Sequence, residues 1–268
     1  MKHLKSSLLD LREIFEHSLA ARDLAEPLAS FDDSQAVEIV RAFMEMEDFD
    51  VVGVRHSGRI VGYAERSALL CGVLSDHLLV FKKAVVFSDV APIVEVLRCL
   101  VDTPQVFVCT KDHVWGIITR GDLQKAPMRM CLFGLISLLE MQLLRLIRDM
   151  YPGGTWRSML SAPRIDSAEK ILSDRRCRNE GTDLADCLQF ADKRTIIAKS
   201  EGLRVRLGFE SCSKAESLLK DLEKLRDDLA HSQDILAGRW PGIVELAKMA
   251  ETLLERCEGV DAISEKPA

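Results

Sequence analysis

"GIITRGDL", Gly116–Leu123, is the stretch on which the fold turns. An apolar, β-branched run, Val114–Thr119, ends in a hydroxyl and is followed three residues later by a carboxylate, Asp122. The pattern predicts a strand that closes on Thr119 and a helix that starts within Gly121–Lys125, so that both side chains converge on one place. Working back, Val106–Cys109 is a second β-rich run, joined to the first by the polar turn "TKDH", and Pro92–Leu100 before it has helical apolar spacing. The same order occurs upstream. There an amphipathic stretch, Ser34–Met46, precedes apolar runs at Val51–Val54 and Ile60–Tyr63 joined by "RHSG", and a helical start follows at Glu65–Leu74. The copies are offset by roughly 55 residues, and a repeat of that length outranks any single motif as a guide to architecture.

The unit β–α–β–β–α, met twice, resembles the tandem CBS (cystathionine beta-synthase-type) domain over about residues 22–126, including the lead-in "ARDLAEPLASF". "GIITRGDL" fits that family's G-h-x-[ST]-x-x-[DN] adenosine-ribose motif. The resemblance implies a nucleotide site built on Thr119 and Asp122 with Ile117 and Arg120 beside them. The carboxylate would accept both ribose hydroxyls, while Arg120 and the helix N-terminus would offer positive potential to phosphate. It also implies AMP, ADP or ATP as a regulatory ligand, with no required cofactor. A plainer reading stays open, in which Asp122 only caps the helix after the strand, since T-x-x-D is common at such junctions. In the first copy, "GYAERSAL", Glu65 stands at the Thr/Ser position and Ala68 at the Asp position. A glutamate repels phosphate and an alanine holds no ribose, so one working site and one degenerate site are expected.

After Pro127 the strand signals vanish. Helical spacing runs over Leu132–Met150, "YPGGTW" breaks the chain, and further helices are predicted at Asp166–Arg178, Thr182–Ser200, Ser213–Ser232 and Pro241–Cys257. Ser213 and Glu216 form an S-x-x-E capping box, and Leu218, Leu222, Leu225 and Leu229 form the buried stripe of that helix. The fold class is therefore α+β. An N-terminal helix plus the repeat pair spans 1–127 (halves at about 22–75 and 76–127), and an all-α bundle spans 128–268.

"KLRDDLAHS", Lys224–Ser232, resembles the R-x4-6-H motif of HEPN (higher eukaryotes and prokaryotes nucleotide-binding) helical domains, many of which are metal-independent endoribonucleases that act as dimers. A second match, Arg12–His17, has Glu13 and Glu16 between its ends, which would repel a phosphodiester, so His17 is read as a surface residue. On an ideal helix Arg226 and His231 lie about 140° apart, so either the helix loosens near His231 or two copies meet across a two-fold axis. The resemblance implies the second route, with RNA cleaved by attack of the 2′-hydroxyl on phosphorus. His231 would shuttle the proton, Arg226 would stabilise the transition state, and Asp227 would complete the motif. Gln233 stands where related toxins carry a modifiable Tyr, and many HEPN domains have lost activity and serve as scaffolds.

Charge and composition bound these readings. The 268 residues carry 36 basic and 42 acidic groups, net −6, which excludes an indiscriminate nucleic-acid binder. Residues 128–208 are nevertheless +4, with Arg164, Arg175, Arg176, Arg178, Arg194, Arg204 and Arg206 either tracking an RNA backbone or forming an ion-paired surface. The eight cysteines form no CxxC pair and are expected to be reduced core residues of a cytoplasmic protein, with no metal site. No apolar run is expected to span a membrane, because Glu140, Gln142, Arg145 and Arg148 interrupt Met130–Met150, and Met1–Asp10 lacks a signal-peptide core. Two functional readings follow. One is a nucleotide-gated ribonuclease acting as a homodimer or a dimer of dimers on RNA. The other is a non-catalytic sensor whose bundle only dimerises or binds a partner.

Overall fold

The computed structural model describes residues 19–82, 85–231, 235 and 240–259. These divide into two compact units, one ending at Met128 and one starting at Arg129.

The first unit contains β1 (Glu26–Pro27), β2 (Ser30–Asp32), α1 (Val37–Met46), β3 (Val51–His56), β4 (Arg59–Glu65) and β5 (Leu79–Val80), then β6 (Val86–Ser88), α2 (Ile93–Asp102), β7 (Gln105–Thr110) and β8 (His113–Thr119). Two four-stranded sheets result, in the orders β2-β3-β4-β5 and β1-β8-β7-β6. In each, a parallel pair (β2 with β3, β6 with β7) is followed by an antiparallel hairpin and an antiparallel edge strand. The register shifts fall at Val54/Arg55 and Val108/Cys109, 54 positions apart, so the repeat read from sequence extends to its irregularities. Both hairpins turn on two residues with positive φ, Ser57–Gly58 and Lys111–Asp112. This geometry matches the twist of the flanking strands.

Burial repeats as well. Val37, Val40, Met44, Val52, Val54, Ala64 and Leu69 are buried in the first copy, and Ile93, Val96, Leu100, Val106, Val108, Ile118 and Leu123 in the second. The lead-in segments are exchanged. Residues before the first copy pair with the second, through Ala21 N–H to Ala91 O (2.8 Å), the Ala20–Pro92 bridge and β1 on β8. Residues before the second copy return to the first, through Leu74 N–H to Gln35 O (2.9 Å), the Ala36–Val73 bridge and β5 on β4. The helical starts expected at Glu65–Leu74 and Gly121–Lys125 are short 3-10 turns, Arg66–Ala68 and Arg120–Gln124. Leu69 and Leu123 plug the core immediately after the strands, and at Lys125 the backbone is already extended (ψ 148°).

From Arg129 onward the described residues hold helices and no strand. α3 (Ala126–Met150) starts six residues before the sequence reading, because Pro127 is tolerated in a first turn. It is long and apolar enough to cross a membrane by length and composition, contrary to expectation. Its most apolar 18-residue window has a mean hydropathy of 1.8, and 56% of that window is buried inside the structure. Leu132, Ile136, Leu139, Leu143 and Ile147 fill the core, and the interrupting Gln142 is buried with them. Gly153 (φ 72°) and Gly154 (φ 80°) shape the break that follows, and α4 runs over Ala162–Cys177.

The helix expected over Thr182–Ser200 is instead a 3-10 turn at Leu184–Cys187 and α5 (Phe190–Lys199), with α6 (Glu201–Arg206) following. Each piece has its own side-chain cap. Asp183 accepts from Asp186 N–H, Asp192 accepts from Gln189 N–H, and Ser200 accepts from Leu203 N–H. Local capping bonds of this kind compete with continuation of a helix. In α7 (Cys212–Ala230), Ser211 caps by accepting from Lys214 N–H at 3.2 Å, so the expected Ser213–Glu216 box is not the cap. Its buried residues are Ala215, Leu219, Leu222, Leu225 and Leu229, with Leu218 at the margin. α8 spans Trp240–Glu258. None of the eight cysteines forms a disulfide; Cys131, Cys187 and Cys257 are buried, whereas Cys71, Cys177 and Cys212 are exposed rather than in the core.

Candidate ligand-binding site

Within the first unit a cavity of about 470 Å³ opens between the two copies. The end of β8 and the turn after it bring Ile117, Thr119, Arg120 and Asp122 to its wall. Glu26 and Pro27 of the exchanged strand, Asp48–Val51 of the first copy, and Pro104–Gln105 complete it. The four residues read from sequence thus meet at one cavity, and the exchanged strand supplies a wall that sequence reasoning missed.

Asp122 is heavily engaged there. Its Oδ2 accepts from the Thr119 N–H (2.6 Å) and the Thr119 hydroxyl (3.0 Å), closing the turn as a capping box. Its Oδ1 lies 2.9 Å from Lys125 Nζ, and the carboxylate side chain is 12% exposed. Lys125 also donates to Leu24 O and to the Glu26 carboxylate. Burial would push the ammonium pKa down, but Glu26 and Asp122 outweigh it and hold the charged form. Arg120 is turned away from phosphate chemistry: its Nε and Nη2 donate to the Leu100 and Val101 carbonyls (3.2 Å each), at the electron-rich end of α2. The expected helix N-terminus is also replaced by the five-residue 3-10 turn. What remains is a partly desolvated carboxylate whose lone pairs suit vicinal hydroxyls.

At the corresponding place in the first copy lies a cavity of about 630 Å³ lined by Arg41, Glu45, Glu65, Arg66 and Ser67. Arg66 binds Asp50 (2.6 Å) and Asp48 (3.3 Å), and position 68 offers only a methyl group. The pattern that holds Asp122 against Thr119 is therefore absent from this copy.

In the second unit α7 carries Arg226, Asp227 and His231. Arg226 is folded back. Its Nη1 donates to Glu140 Oε2 (2.9 Å), its Nε and Nη2 donate to Asp227 Oδ1 (3.0 and 2.7 Å), and its guanidinium lies 5.4 Å from the Phe190 ring centroid. Burial alone would lower its pKa, but Asp227 and Glu140 raise it further above the usual arginine value. Glu140 also accepts from Lys193 Nζ at 2.6 Å, so one carboxylate on α3 serves two cations. His231 stands exposed as the C-cap of α7 (φ −97°, ψ 14°), its N–H donating to Asp227 O at 3.0 Å. Among the described residues no hydrogen bond joins Arg226 to His231. Arg12–His17 and Gln233 lie outside the described residues.

Most of the basic stretch is spent internally. Arg164 pairs with Asp192, Arg178 with Glu180 and Arg194 with Glu223, while Arg175 and Arg204 donate to the carbonyls of Asp186 and Ala198. These pairings range from 2 to 29 positions apart in sequence. Of the two earlier readings of this stretch, the ion-paired surface describes Arg164, Arg178 and Arg194, while Arg175 and Arg204 are held by main-chain carbonyls. Among the described residues no group of three His, Cys, Asp or Glu side chains is arranged to hold a metal ion.

No family model matches the chain, and no curated protein matches it. Solved structures similar to it include CBS-domain proteins, which cover about 40% of the chain in its N-terminal part. The CBS-pair protein CBSX2 from Arabidopsis thaliana is 18% identical over 41% of this chain and 95% of its own, with a TM-score of 0.37. CBSX2 has also been solved in complex with AMP, at 17% identity and a TM-score of 0.37 over 41% of this chain and 97% of its own. CbpB from Streptococcus agalactiae is 21% identical over 45% of this chain and 87% of its own, with a TM-score of 0.35.

Proposed function

We propose that the chain is an adenine-nucleotide-sensing regulatory protein. In this reading residues 1–127 hold a CBS pair with one working site, and 128–268 form the helical output domain. The observation that carries it is the meeting of Thr119, Asp122 and Ile117 at a single cavity, with an alanine, Ala68, at the Asp122 position of the first copy. AMP, ADP or ATP should bind the purified full chain, and Asp122→Ala should abolish binding. Failure of all three nucleotides to bind the wild type would remove the reading.

For the helical domain the non-catalytic role fits better. A transition-state arginine must keep donors for the developing charge. Here three of the five N–H donors of Arg226 are committed to Glu140 and Asp227, whose two carboxylates already balance its charge. The exposed His231, five positions on and past the end of the helix, is what favours the second reading, a HEPN-type endoribonuclease assembled from two copies. Incubating RNA with wild type and His231→Ala, with and without AMP or ATP and always with EDTA, separates the two. No cleavage under any condition is expected of the sensor. Cleavage lost in the variant would establish the nuclease.

A further inference from the structure

Lys125 has three N–H donors and, in this structure, three acceptors: Leu24 O, the Glu26 carboxylate and Asp122 Oδ1. It therefore ties the exchanged lead-in strand to the turn that carries the pocket carboxylate. Asp122 has its other oxygen filled twice by Thr119. A carboxylate offers about four lone-pair positions. With three already used, a vicinal diol, which brings two donors, finds one vacancy. The second donor must displace a resident. The Thr119 backbone bond holds the turn itself and the Thr119 hydroxyl would lose the carboxylate to which it donates, whereas Lys125 keeps two other acceptors if it lets go of Asp122, so Lys125 is the partner that leaves.

We propose that Lys125 is a competitor built into the site. A ribose diol takes Asp122 by displacing the lysine, so Lys125 sets ligand affinity and links occupancy to the hold on residues 24–26. This inference rests on the nucleotide reading above and concerns a positioning residue that does not itself contact the ligand. Two neighbouring substitutions should act in opposite directions. Lys125→Met removes the competitor and should tighten AMP binding by about tenfold, the effect of one charge-assisted contact. Glu26→Gln removes the rival anion, leaves Lys125 more firmly on Asp122, and should weaken AMP binding. A purely structural role for the cluster would shift both variants the same way.

Isothermal titration of AMP into the wild type and both full-length variants reads the two signs. Amide hydrogen exchange adds an independent readout. The Leu28 amide, bonded to Trp115 O beside β1, should exchange faster in Lys125→Met without ligand, and faster in the wild type once AMP is bound. Weaker binding by Lys125→Met would overturn the inference, as would shifts of equal sign in the two variants, while leaving the nucleotide reading intact. If the wild type and both variants bind none of AMP, ADP and ATP, the nucleotide reading fails and the competition fails with it. Unchanged exchange at Leu28 in Lys125→Met would then show that the lysine does not hold the strand either.

Discussion

Glu140→Ala is the substitution that most sharply tests the role assigned to Arg226. Glu140 bridges Lys193 and Arg226, and the side chains of Lys193, Glu140 and Arg226 are 8%, 20% and 25% exposed. Arg226 keeps Asp227 if Glu140 is lost, and its exposure lets water share the remaining charge. Among the described residues Lys193 has no such reserve: it is buried and pairs with Glu140. Removing one member of a buried pair typically costs about 3–5 kcal/mol because the other charge is stranded. Partial exposure of Glu140 places this case near the lower end, about 3 kcal/mol. For a unit of this size that corresponds to a fall in Tm of about 6–12 °C. Urea unfolding followed by far-UV circular dichroism, a signal dominated by the helices, measures it. Arg226→Ala should cost less, about 1–2 kcal/mol, since Glu140 then retains Lys193. Replacing both Glu140 and Lys193 by apolar residues of similar size should restore stability to within about 1 kcal/mol of wild type. A Glu140→Ala cost below about 1 kcal/mol, or a larger cost for Arg226→Ala, would refute the placement of Arg226 in a structural ion cluster.

Three further outcomes are expected. Ser211→Ala should destabilise the helical unit by about 1 kcal/mol and Ser213→Ala by far less, by the same unfolding assay, because Ser211 caps α7; the reverse order would restore the Ser213–Glu216 box. Burial pushes the Asp183 carboxyl up, but Arg148 outweighs it and holds the pKa below the usual carboxylate range. A depressed carboxylate adds stability above its unfolded pKa that is lost as pH falls through the folded value. The helical unit should therefore lose stability below about pH 4, and Arg148→Gln should flatten that limb of the stability–pH curve. Burial, with Glu251 adding to it, pushes the Cys131 thiol up to about 12. Iodoacetamide at neutral pH should thus label Cys71, Cys177 and Cys212 first and reach Cys131 only after unfolding, as peptide mass spectrometry would show.

The repeat was legible because β-branched runs and amphipathic helices leave periodic signals, and the paired register shifts at Val54/Arg55 and Val108/Cys109 follow from the same pattern. The exchange of lead-in strands was not. β1 and β5 are two residues long and exposed, so they carry no period, and the partner of β1 lies far along the chain, with Glu26 opposite Ile117. Lys125 and Glu26 were missed for the same reason: their contact spans 99 positions. The break at Leu188–Gln189 was hidden because apolar spacing continues across it while the capping bonds that stop the helix are made by ordinary polar residues. Thr119 and Asp122 could be found from spacing alone, because a strand followed by a tight turn brings i and i+3 together. Arg226 could not be judged that way. Its wheel position is open to solvent, but the carboxylate that claims it is on α3, 86 positions away.

The central claim is that the Thr119/Asp122 cavity holds a nucleotide by its ribose. A crystal structure of the full chain grown with AMP tests this most directly. The account predicts the adenosine in the cavity between the two copies, both ribose hydroxyls within hydrogen-bond distance of Asp122, Lys125 withdrawn from that carboxylate, and the first-copy cavity empty. AMP seated at Glu65 and Ala68, or Asp122 still closed on Thr119 and Lys125 with the nucleotide elsewhere, would contradict it.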